Sequence, residues 1–387
     1  MELFDRLSNL QTISQSEELN IRLEILLTDF LVCTRAGSSS ADIESVGARL
    51  AINSNYHDAD DIDWSVMTHP GSIIWAALID SLIRQPENSN NFLLSAYAGY
   101  RTSATSAHFF GASHRKNWHV TTTAGTLAAT SVACAYRDLS PSMHTSALEN
   151  AAANMGGIAV ADRRTGAAIF NRATAATLGL LAATSDQPSA QNIWEGERGL
   201  KNLFSITGED SQTYDGISTS GLRLFPYSGF IQSQNLVITQ LAKKLSGDLV
   251  RIELGLHPVT IELLNGSVGG SYWDFKHGAA SAWQIKDVTQ CVEAKTEVLE
   301  KISAKAIDIP ISGAEVTVTT SEGSDSVRIE VPPGNDFGSS QEKHWREAKW
   351  QRLAGRDYLE AENFAHRLLS NQADKNAIKS LQEFLLA

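Results

Sequence analysis

The sequence has little cysteine: the three residues Cys33, Cys134 and Cys291 are widely spaced and form no CxxC pair. An odd number of isolated cysteines does not build a disulfide framework, and the spacing of zinc or iron–sulfur ligands is absent. We therefore expect reduced thiols in a reducing compartment. Cys134 lies in a run of small residues, 128–135, that is typical of a buried helix, so we expect a core thiol rather than a nucleophile.

Basic charge is also scarce, with a formal net charge of −12. A protein that binds duplex nucleic acid needs a dense basic surface to displace counterions, which excludes nucleic acid as an expected partner. The apolar runs are far shorter than the roughly 20 residues that cross a bilayer. The polar start of the chain lacks the charged and apolar regions of a secretory signal. These absences predict a soluble, cytoplasmic protein with no membrane partner.

Cofactor motifs are missing as well. The sequence has no glycine-rich nucleotide loop, no Walker sequence and no HExxH pair. We expect no metal and no cofactor. Any anionic substrate must then be held by a local basic pocket, because the overall field of the protein is negative.

The 387 residues suit about two domains. Apolar residues at helical spacing predict helices over 18–35, 42–53 and 73–83, and the region up to about residue 185 is rich in small residues interleaved with leucine, isoleucine and phenylalanine. Small side chains allow helix backbones to approach closely, so these segments predict tightly packed helices rather than linkers.

The pattern changes after Leu236. A helix is expected over 234–245, a strand over 249–256, helices over 270–284 and 288–302, and a hairpin whose strands are 314–320 and 326–331. Residues 340–386 return to a helical pattern. The sequence thus predicts a mainly α fold: a large all-helical domain, 1–234 plus 339–387, with an inserted smaller α+β domain, 235–338.

Several separated segments resemble the MmgE/PrpD family, whose members include methylcitrate dehydratase, cis-aconitate decarboxylase and an iminodisuccinate epimerase. Each motif alone is weak, but together they cover most of the chain in the family's order. The segments are Asp58-Ala59-Asp60-Asp61 with Thr68-His69-Pro70-Gly71, Ser95 to Tyr100, Trp118-His119-Val120 with Ala124-Gly125-Thr126, Trp194 to Gly199, and Val316 to Thr320 with Val331-Pro332-Pro333-Gly334.

The resemblance implies the same two-domain fold, a cleft between the domains and a homodimer built on the helical domain. Two family lysines are replaced. The lysine of an Ala-Lys-Pro motif corresponds to Ala168, and that of a Lys-Pro-Tyr-Pro motif corresponds to Phe225, two residues before Tyr227. These departures put the substrate, and catalysis itself, in question.

The acidic loop and two histidines are the candidate catalytic groups. Removing a proton next to a carboxylate requires a base, an acid and a cation for the developing enolate. Asp58 lies in a cluster of aspartates. Such a cluster is consistent either with a solvated loop or with a carboxylate that transfers protons. His69 follows this cluster at a turn. His119 precedes three threonines that are expected to begin a helix, and the N-terminus of a helix is a common binding site for an anion. Each histidine also has an ordinary structural interpretation.

The candidate substrate-binding residues are weaker predictions. Arg115 and Lys116 belong to the densest basic stretch of an acidic chain, which is either a solvated surface or a carboxylate contact. Arg172 lies one helical turn beyond Ala168 and so can reach the space of the missing lysine. The family motifs add Asp61, Thr68 and Tyr227, and in the smaller domain His277 stands where the family contributes a tyrosine, which makes it a fourth catalytic candidate.

These residues predict a cofactor-independent lyase that removes a proton next to a carboxylate and eliminates water from a small or secondary-metabolite hydroxy acid. An isomerase, an epimerase or a decarboxylase would share the enolate-like intermediate and stays open as an alternative. The lost lysines motivate a third hypothesis, a catalytically inactive dimeric binding protein, whereas the presence of His69, His119 and the acidic loop together argues against it.

Overall fold

The computed structural model describes residues 3–37, 43–159, 166–184, 193–206, 212–266 and 272–386. These residues are mainly helical, in agreement with the predicted fold class. The chain forms two compact units: unit 1 is Met1–Ser220 with Trp350–Ala387, and unit 2 is Gly221–Lys349. The predicted domains, 1–234 with 339–387 and 235–338, stay a prediction.

Unit 1 is built from helices. The helices that begin and end within its described residues are α1 (Leu3–Ser8), α2 (Glu17–Ala36), α3 (Val46–Asn55), α4 (Gly71–Arg84), α5 (Phe92–Arg115), α6 (Val120–Tyr136), α7 (Pro141–Asn154), α8 (Gly166–Thr184), α9 (Leu200–Leu203), α15 (Tyr358–Leu369) and α16 (Lys375–Leu386). A two-residue strand, β1 (Ile62–Asp63), lies in the loop before α4, and β2 (Ser220–Gly221) follows α9. The helices predicted over 18–35 and 73–83 are confirmed as α2 and α4, and the helix predicted over 42–53 begins four residues later, as α3.

Small residues bring the central helices of unit 1 close together. A Cβ atom on Gly99 of α5 would lie 2.6 Å from Val132 of α6, and one on Gly125 of α6 would lie 2.3 Å from Ile73 of α4. Both distances are below any real contact, so a larger residue at either glycine would force the neighbouring side chain to move. Every residue of α6 is buried, which makes it the central helix of the unit.

Unit 2 contains a four-stranded sheet. Its strands are β3 (Leu249–Leu256), β4 (Ile302–Ala306), β5 (Ala314–Thr320) and β6 (Ser324–Ile329), in the order β4-β3-β5-β6. β3 runs parallel to β4 and antiparallel to β5, and β5 and β6 form the predicted hairpin. The helices are α10 (Gln232–Lys244), α11 (Pro258–Leu264), α12 (Phe275–Ile285) and α13 (Thr296–Leu299), followed by α14 (Ser340–Ala354), which continues across the boundary of the unit.

The helix predicted over 288–302 is wrong. Asp287 accepts hydrogen bonds from the backbone N–H of Thr289 at 3.0 Å and from its hydroxyl at 2.7 Å. Such a local side-chain turn offers the backbone an alternative to a helix. The segment therefore runs irregularly to the four-residue α13 and then enters β4, where the parallel partner strand β3 is available.

Candidate active site

The acidic loop between α3 and α4 is held by the start of α4. Both carboxylate oxygens of Asp61 accept from the backbone N–H of Gly71, at 2.9 and 3.1 Å, and one also accepts from the Tyr100 hydroxyl at 3.0 Å. The hydroxyl oxygen in turn accepts from Trp75 Nε1 at 3.0 Å. A Cβ on Gly71 would lie 2.6 Å from the Asp61 carboxylate, so this contact requires glycine. The backbone amides at the start of a helix favour such an acceptor.

The same network sets the ionisation of the loop. Burial raises the pKa of Asp61 well above its usual value, with a further rise from the neighbouring charge of Asp60, while the hydrogen bonds from Tyr100 and Gly71 act in the opposite direction. Burial and the proximity of Asp61 likewise raise the pKa of the Tyr100 phenol. Burial also raises the pKa of Asp63, partly offset by its bonds with Ser65. The loop thus carries carboxylates whose neutral form is stabilised.

His69 lies beside a second carboxylate of the loop. Its Nδ1 is 2.8 Å from the carbonyl oxygen of Asp61 and 3.6 Å from Asp60 Oδ1. Because a carbonyl oxygen only accepts, Nδ1 carries the proton, and in the neutral ring Nε2 carries the lone pair. The His69 side chain is 16% exposed, so it is within reach of a small molecule.

Asp60 connects His69 with Arg172. Its Oδ2 lies 3.5 Å from Arg172 Nε, and its Oδ1 accepts from Asn55 Nδ2 at 2.7 Å. Both charged side chains are almost fully buried. The structure therefore brings the predicted residues His69 and Arg172 to one carboxylate, from positions more than 100 residues apart. The side chain of Ala168 lies outside the described ones.

The hydroxyl of Thr68, in this loop, has no hydrogen-bond partner among the residues that the structure describes. Its backbone carbonyl accepts from Asp63 N–H at 2.9 Å, which holds the turn before His69. Its side chain is 0% exposed, and its Oγ1 makes no hydrogen bond within the described part of the chain. A buried hydroxyl without a partner is costly and commonly marks a place for water or a ligand atom.

Asp58 takes a different position. It is half-buried, and its backbone has φ 51°, a left-handed conformation that aspartate tolerates better than most residues. Its N–H donates to Asn55 O at 2.8 Å, which closes the turn at the end of α3. Asp58 thus shapes the entry into the acidic loop, and its predicted catalytic role stays a prediction.

The start of α6 is tied to His69. His119 precedes the helix, is 4% exposed and places Nδ1 2.6 Å from the Thr122 hydroxyl. The hydroxyl of Thr121, one residue before Thr122, accepts from the backbone N–H of His69 at 3.2 Å. One hydrogen bond therefore anchors the backbone of His69 to the helix start that follows His119.

The basic stretch before α6 divides into one buried and two more accessible residues. His114 is fully buried, with Nδ1 2.9 Å from Phe204 O and Nε2 2.9 Å from the Thr123 hydroxyl. Burial lowers its pKa to about 4. Arg115 is half-buried and donates to the carbonyl of Val66, and Lys116 is exposed. Lys116 lies one residue beyond α5, where nothing in the described contacts ties it to the acidic loop.

The two remaining predicted residues belong to unit 2. Tyr227 is buried; its hydroxyl donates to Gln290 O at 2.7 Å and lies 3.1 Å from Ser281 Oγ, and burial raises its pKa. His277 is 41% exposed and places Nδ1 3.0 Å from Asp274 Oδ1. Ser281 and His277 lie one turn apart on α12, so the structure relates these two predicted residues to one helix.

The sequence analysis missed three residues that shape the site. Tyr100 and Trp75 form the hydrogen-bond chain that ends on Asp61, and Asn55 orients Asp60. Tyr100 ends the quoted segment Ser95 to Tyr100, so a signal existed, but its partner lies 39 residues away. No group of three or more histidine, cysteine, aspartate or glutamate side chains within the described ranges is arranged to hold a metal ion.

Part of the chain matches the model of a known protein family. Residues 37–212 match the model of the MmgE/PrpD N-terminal domain. The match supports membership of the chain in the MmgE/PrpD family, as the sequence motifs indicate. Membership suggests a dehydratase-type or related enzyme. No curated protein matches the chain. The matched range includes every site residue from Asp58 to Arg172, whereas Tyr227 and His277 lie beyond it.

No helix in the described ranges is long and apolar enough to span a membrane.

Proposed function

We propose that the protein is a lyase of the dehydratase type that acts on a small or secondary-metabolite hydroxy acid without a cofactor. One observation carries the proposal: His69 and Arg172 lie at the Asp60 carboxylate, and Thr68, the residue before His69, has a buried hydroxyl with no partner among the described residues. A base, a carboxylate that stabilises its protonated form and an adjacent donor are the groups that such an elimination requires.

The proton chemistry follows from the orientation of His69. With Nδ1–H directed at the Asp61 carbonyl, Nε2 can accept a proton from the carbon next to the substrate carboxylate. The positive charge formed on the ring then lies 3.6 Å from the Asp60 carboxylate, which stabilises it. This arrangement is the general pattern of a histidine base oriented by neighbouring acceptors.

The elimination moves two protons. The electron pair of the broken C–H bond forms the new C=C bond, the bond from the β-carbon to its hydroxyl oxygen breaks, and that oxygen takes a proton from an acid and leaves as water. We assign the acid to His119, because it joins the same helix start that holds the backbone of His69. The N-terminal amides of α6 favour the anionic end of the substrate.

One observation supports a second candidate, a catalytically inactive binding protein. Phe225, at the position of a family lysine, is 2% exposed and packs against Trp345 with 5.2 Å between ring centroids. An apolar contact inside unit 2 has thus replaced a cationic side chain. An isomerase or decarboxylase reaction shares the enolate-like intermediate and is distinguished by its product.

The test is hydrogen–deuterium exchange in D₂O, followed by NMR over a panel of small hydroxy and unsaturated carboxylates. We expect wild-type exchange at the carbon next to the carboxylate, with release of water from the hydroxy acids. His69→Gln should reduce the exchange rate by roughly 10²- to 10⁴-fold. The matched control is His366→Gln, since His366 is an exposed histidine of α15.

The outcomes separate the candidates. Equal exchange rates for wild type and His69→Gln would refute the assigned base. Exchange without water release would identify an isomerase or epimerase, and release of carbon dioxide would identify a decarboxylase. Binding of a carboxylate without any exchange would establish the inactive binding protein.

A further inference from the structure

A cavity lies at the far end of the helices that build the candidate active site. It has a volume of about 340 Å³ and lies within unit 1. Small-molecule pockets begin at roughly this size. Its lining includes Arg84 at the end of α4, Arg137 just after α6, and Thr177 and Leu181 on α8. None of these residues belongs to the site around His69.

Helices α4, α6 and α8 each run from the candidate active site to the cavity. α4 begins at Gly71, which holds Asp61, and ends at Arg84 after 14 residues, a rise of about 20 Å. α6 begins beside His119, and Arg137 follows its last residue. α8 carries Arg172 near its start and Leu181 near its end. The cavity is therefore separate from the candidate active site, although both are built on the same helices.

Among the described side chains that line the cavity, one cation has no carboxylate partner. Asp80 is buried, pairs with Arg84 at 2.6 Å and also accepts from the N–H of Gly47 at 3.2 Å. Arg137 donates to the carbonyl of Ala183, and no described carboxylate lies within ion-pair distance of it. A guanidinium has five N–H donors, so one carbonyl leaves most of them available for an anion.

The rest of the lining is mainly apolar. Ala133, Leu180 and Leu181 provide hydrocarbon surface, and the polar atoms come from Gln85 and from the hydroxyls of Ser45, Ser81, Thr177 and Thr184. Leu181 is 64% exposed, a large apolar side chain left in contact with solvent at the mouth of the cavity. Such a surface favours a ligand with an apolar body.

We propose that this cavity binds a small monocarboxylate with an apolar body, whose carboxylate pairs with Arg137 and whose body packs on Ala133, Leu180 and Leu181. A single negative charge matches the single uncompensated guanidinium, and a planar carboxylate matches its fork geometry. This ligand site is independent of the proposed lyase reaction.

The test is ¹⁹F NMR titration of 4-(trifluoromethyl)benzoate into the full chain, beside the neutral 4-(trifluoromethyl)benzamide. The benzoate should bind the wild type and the benzamide should bind at least about tenfold more weakly, because a hydrogen bond to a charged group contributes roughly 1.5–3 kcal/mol. Arg137→Gln should weaken benzoate binding roughly tenfold to hundredfold for the same reason. Arg137→Lys should retain part of the affinity for benzoate, which would show that the fold tolerates a change at this position.

Two further variants test the location. Thr177→Trp places a large side chain in the cavity from an exposed helix position and should abolish binding with the charge intact. Arg251→Gln, an exposed arginine on β3 in unit 2, is the matched control for lost charge and should bind like the wild type.

The results that overturn the proposal are distinct. No binding to the wild type, equal affinities for benzoate and benzamide, or wild-type affinity in Arg137→Gln and Thr177→Trp would each refute it. Binding that is lost in His69→Gln but retained in Arg137→Gln would place the carboxylate in the candidate active site instead. Loss of exchange activity in the lyase assay leaves these binding outcomes unaffected, so the two proposals fail separately.

Discussion

The buried histidine His114 should make unit 1 sensitive to acid. In the neutral ring both nitrogens are satisfied, since Nδ1–H donates to Phe204 O and Nε2 accepts from the Thr123 hydroxyl. Burial lowers its pKa to about 4, with a smaller contribution from Arg115, against an ordinary value of 6.5. His114 joins the end of α5 to the start of α6, so its protonation would loosen the helix start that carries His119.

The direction of the pH effect on stability follows from the pKa values of His114 in the folded and unfolded chain. Because the folded value is the lower one, the unfolded chain binds the proton first as the pH falls, and stability is lost between pH 6.5 and about 4. Above pH 6.5 the ring is neutral in both states and the stabilising contribution is fully present. At pH 5 the unfolded ring is almost fully protonated and the folded ring almost fully neutral, which costs about 2 kcal/mol relative to pH 7.5.

The assay is urea unfolding at pH 7.5, 6 and 5, followed by circular dichroism, for wild type, His114→Gln and the surface control His366→Gln. The His114 variant should be less stable at pH 7.5, but its free energy of unfolding should fall by about 2 kcal/mol less between pH 7.5 and 5. The buried His144 titrates in all three proteins and cancels. Equal pH dependence in wild type and His114→Gln, or an NMR titration of His114 near pH 6.5, would refute the reasoning.

Three further predictions concern the hydrogen-bonded groups. Gly71→Ala should destabilise the protein by about 2–4 kcal/mol and reduce activity, because its Cβ would lie 2.6 Å from the Asp61 carboxylate; calorimetry and the exchange assay check this, and an unchanged Tm would contradict it. Tyr100→Phe removes the donor to Asp61 and the acceptor of Trp75 and should cost about 1–3 kcal/mol in urea unfolding, so full stability would show that these bonds are unimportant. Tyr227→Phe leaves the partly buried carbonyl of Gln290 without its donor and should lower stability by about 1–2 kcal/mol without abolishing exchange; complete loss of exchange would instead support a substrate contact.

The helices of the fold were predictable because their sequence signals are local. α2 has a serine N-cap at Ser16 that accepts from Leu19 N–H at 3.2 Å, and its apolar spacing runs to Ala36. The strand β3 and the hairpin follow from alternation of apolar and polar residues. The helix predicted over 288–302 is wrong for a local reason too. The side chain of Asp287 redirects the backbone, and the spacing of apolar residues does not reveal this.

The candidate site was predictable only in part. The acidic loop and His69 are neighbours in sequence, so their proximity was expected. The pairing of Asp60 with Arg172 was not, because it depends on how α8 packs beside the loop. The role of Tyr100 depends on a contact across 39 residues, which no local pattern encodes.

An aspartate-rich loop is an unexpected place for a site that handles carboxylates, and the structure provides the compensation. The charge of Asp60 is offset by Arg172 at 3.5 Å, and the raised pKa values of Asp61 and Asp63 favour their neutral forms. Repulsion of an anionic substrate would therefore be weaker than the sequence suggests. Because Arg172 is already engaged with Asp60, the carboxylate of the substrate would be held mainly by the start of α6 beside His119.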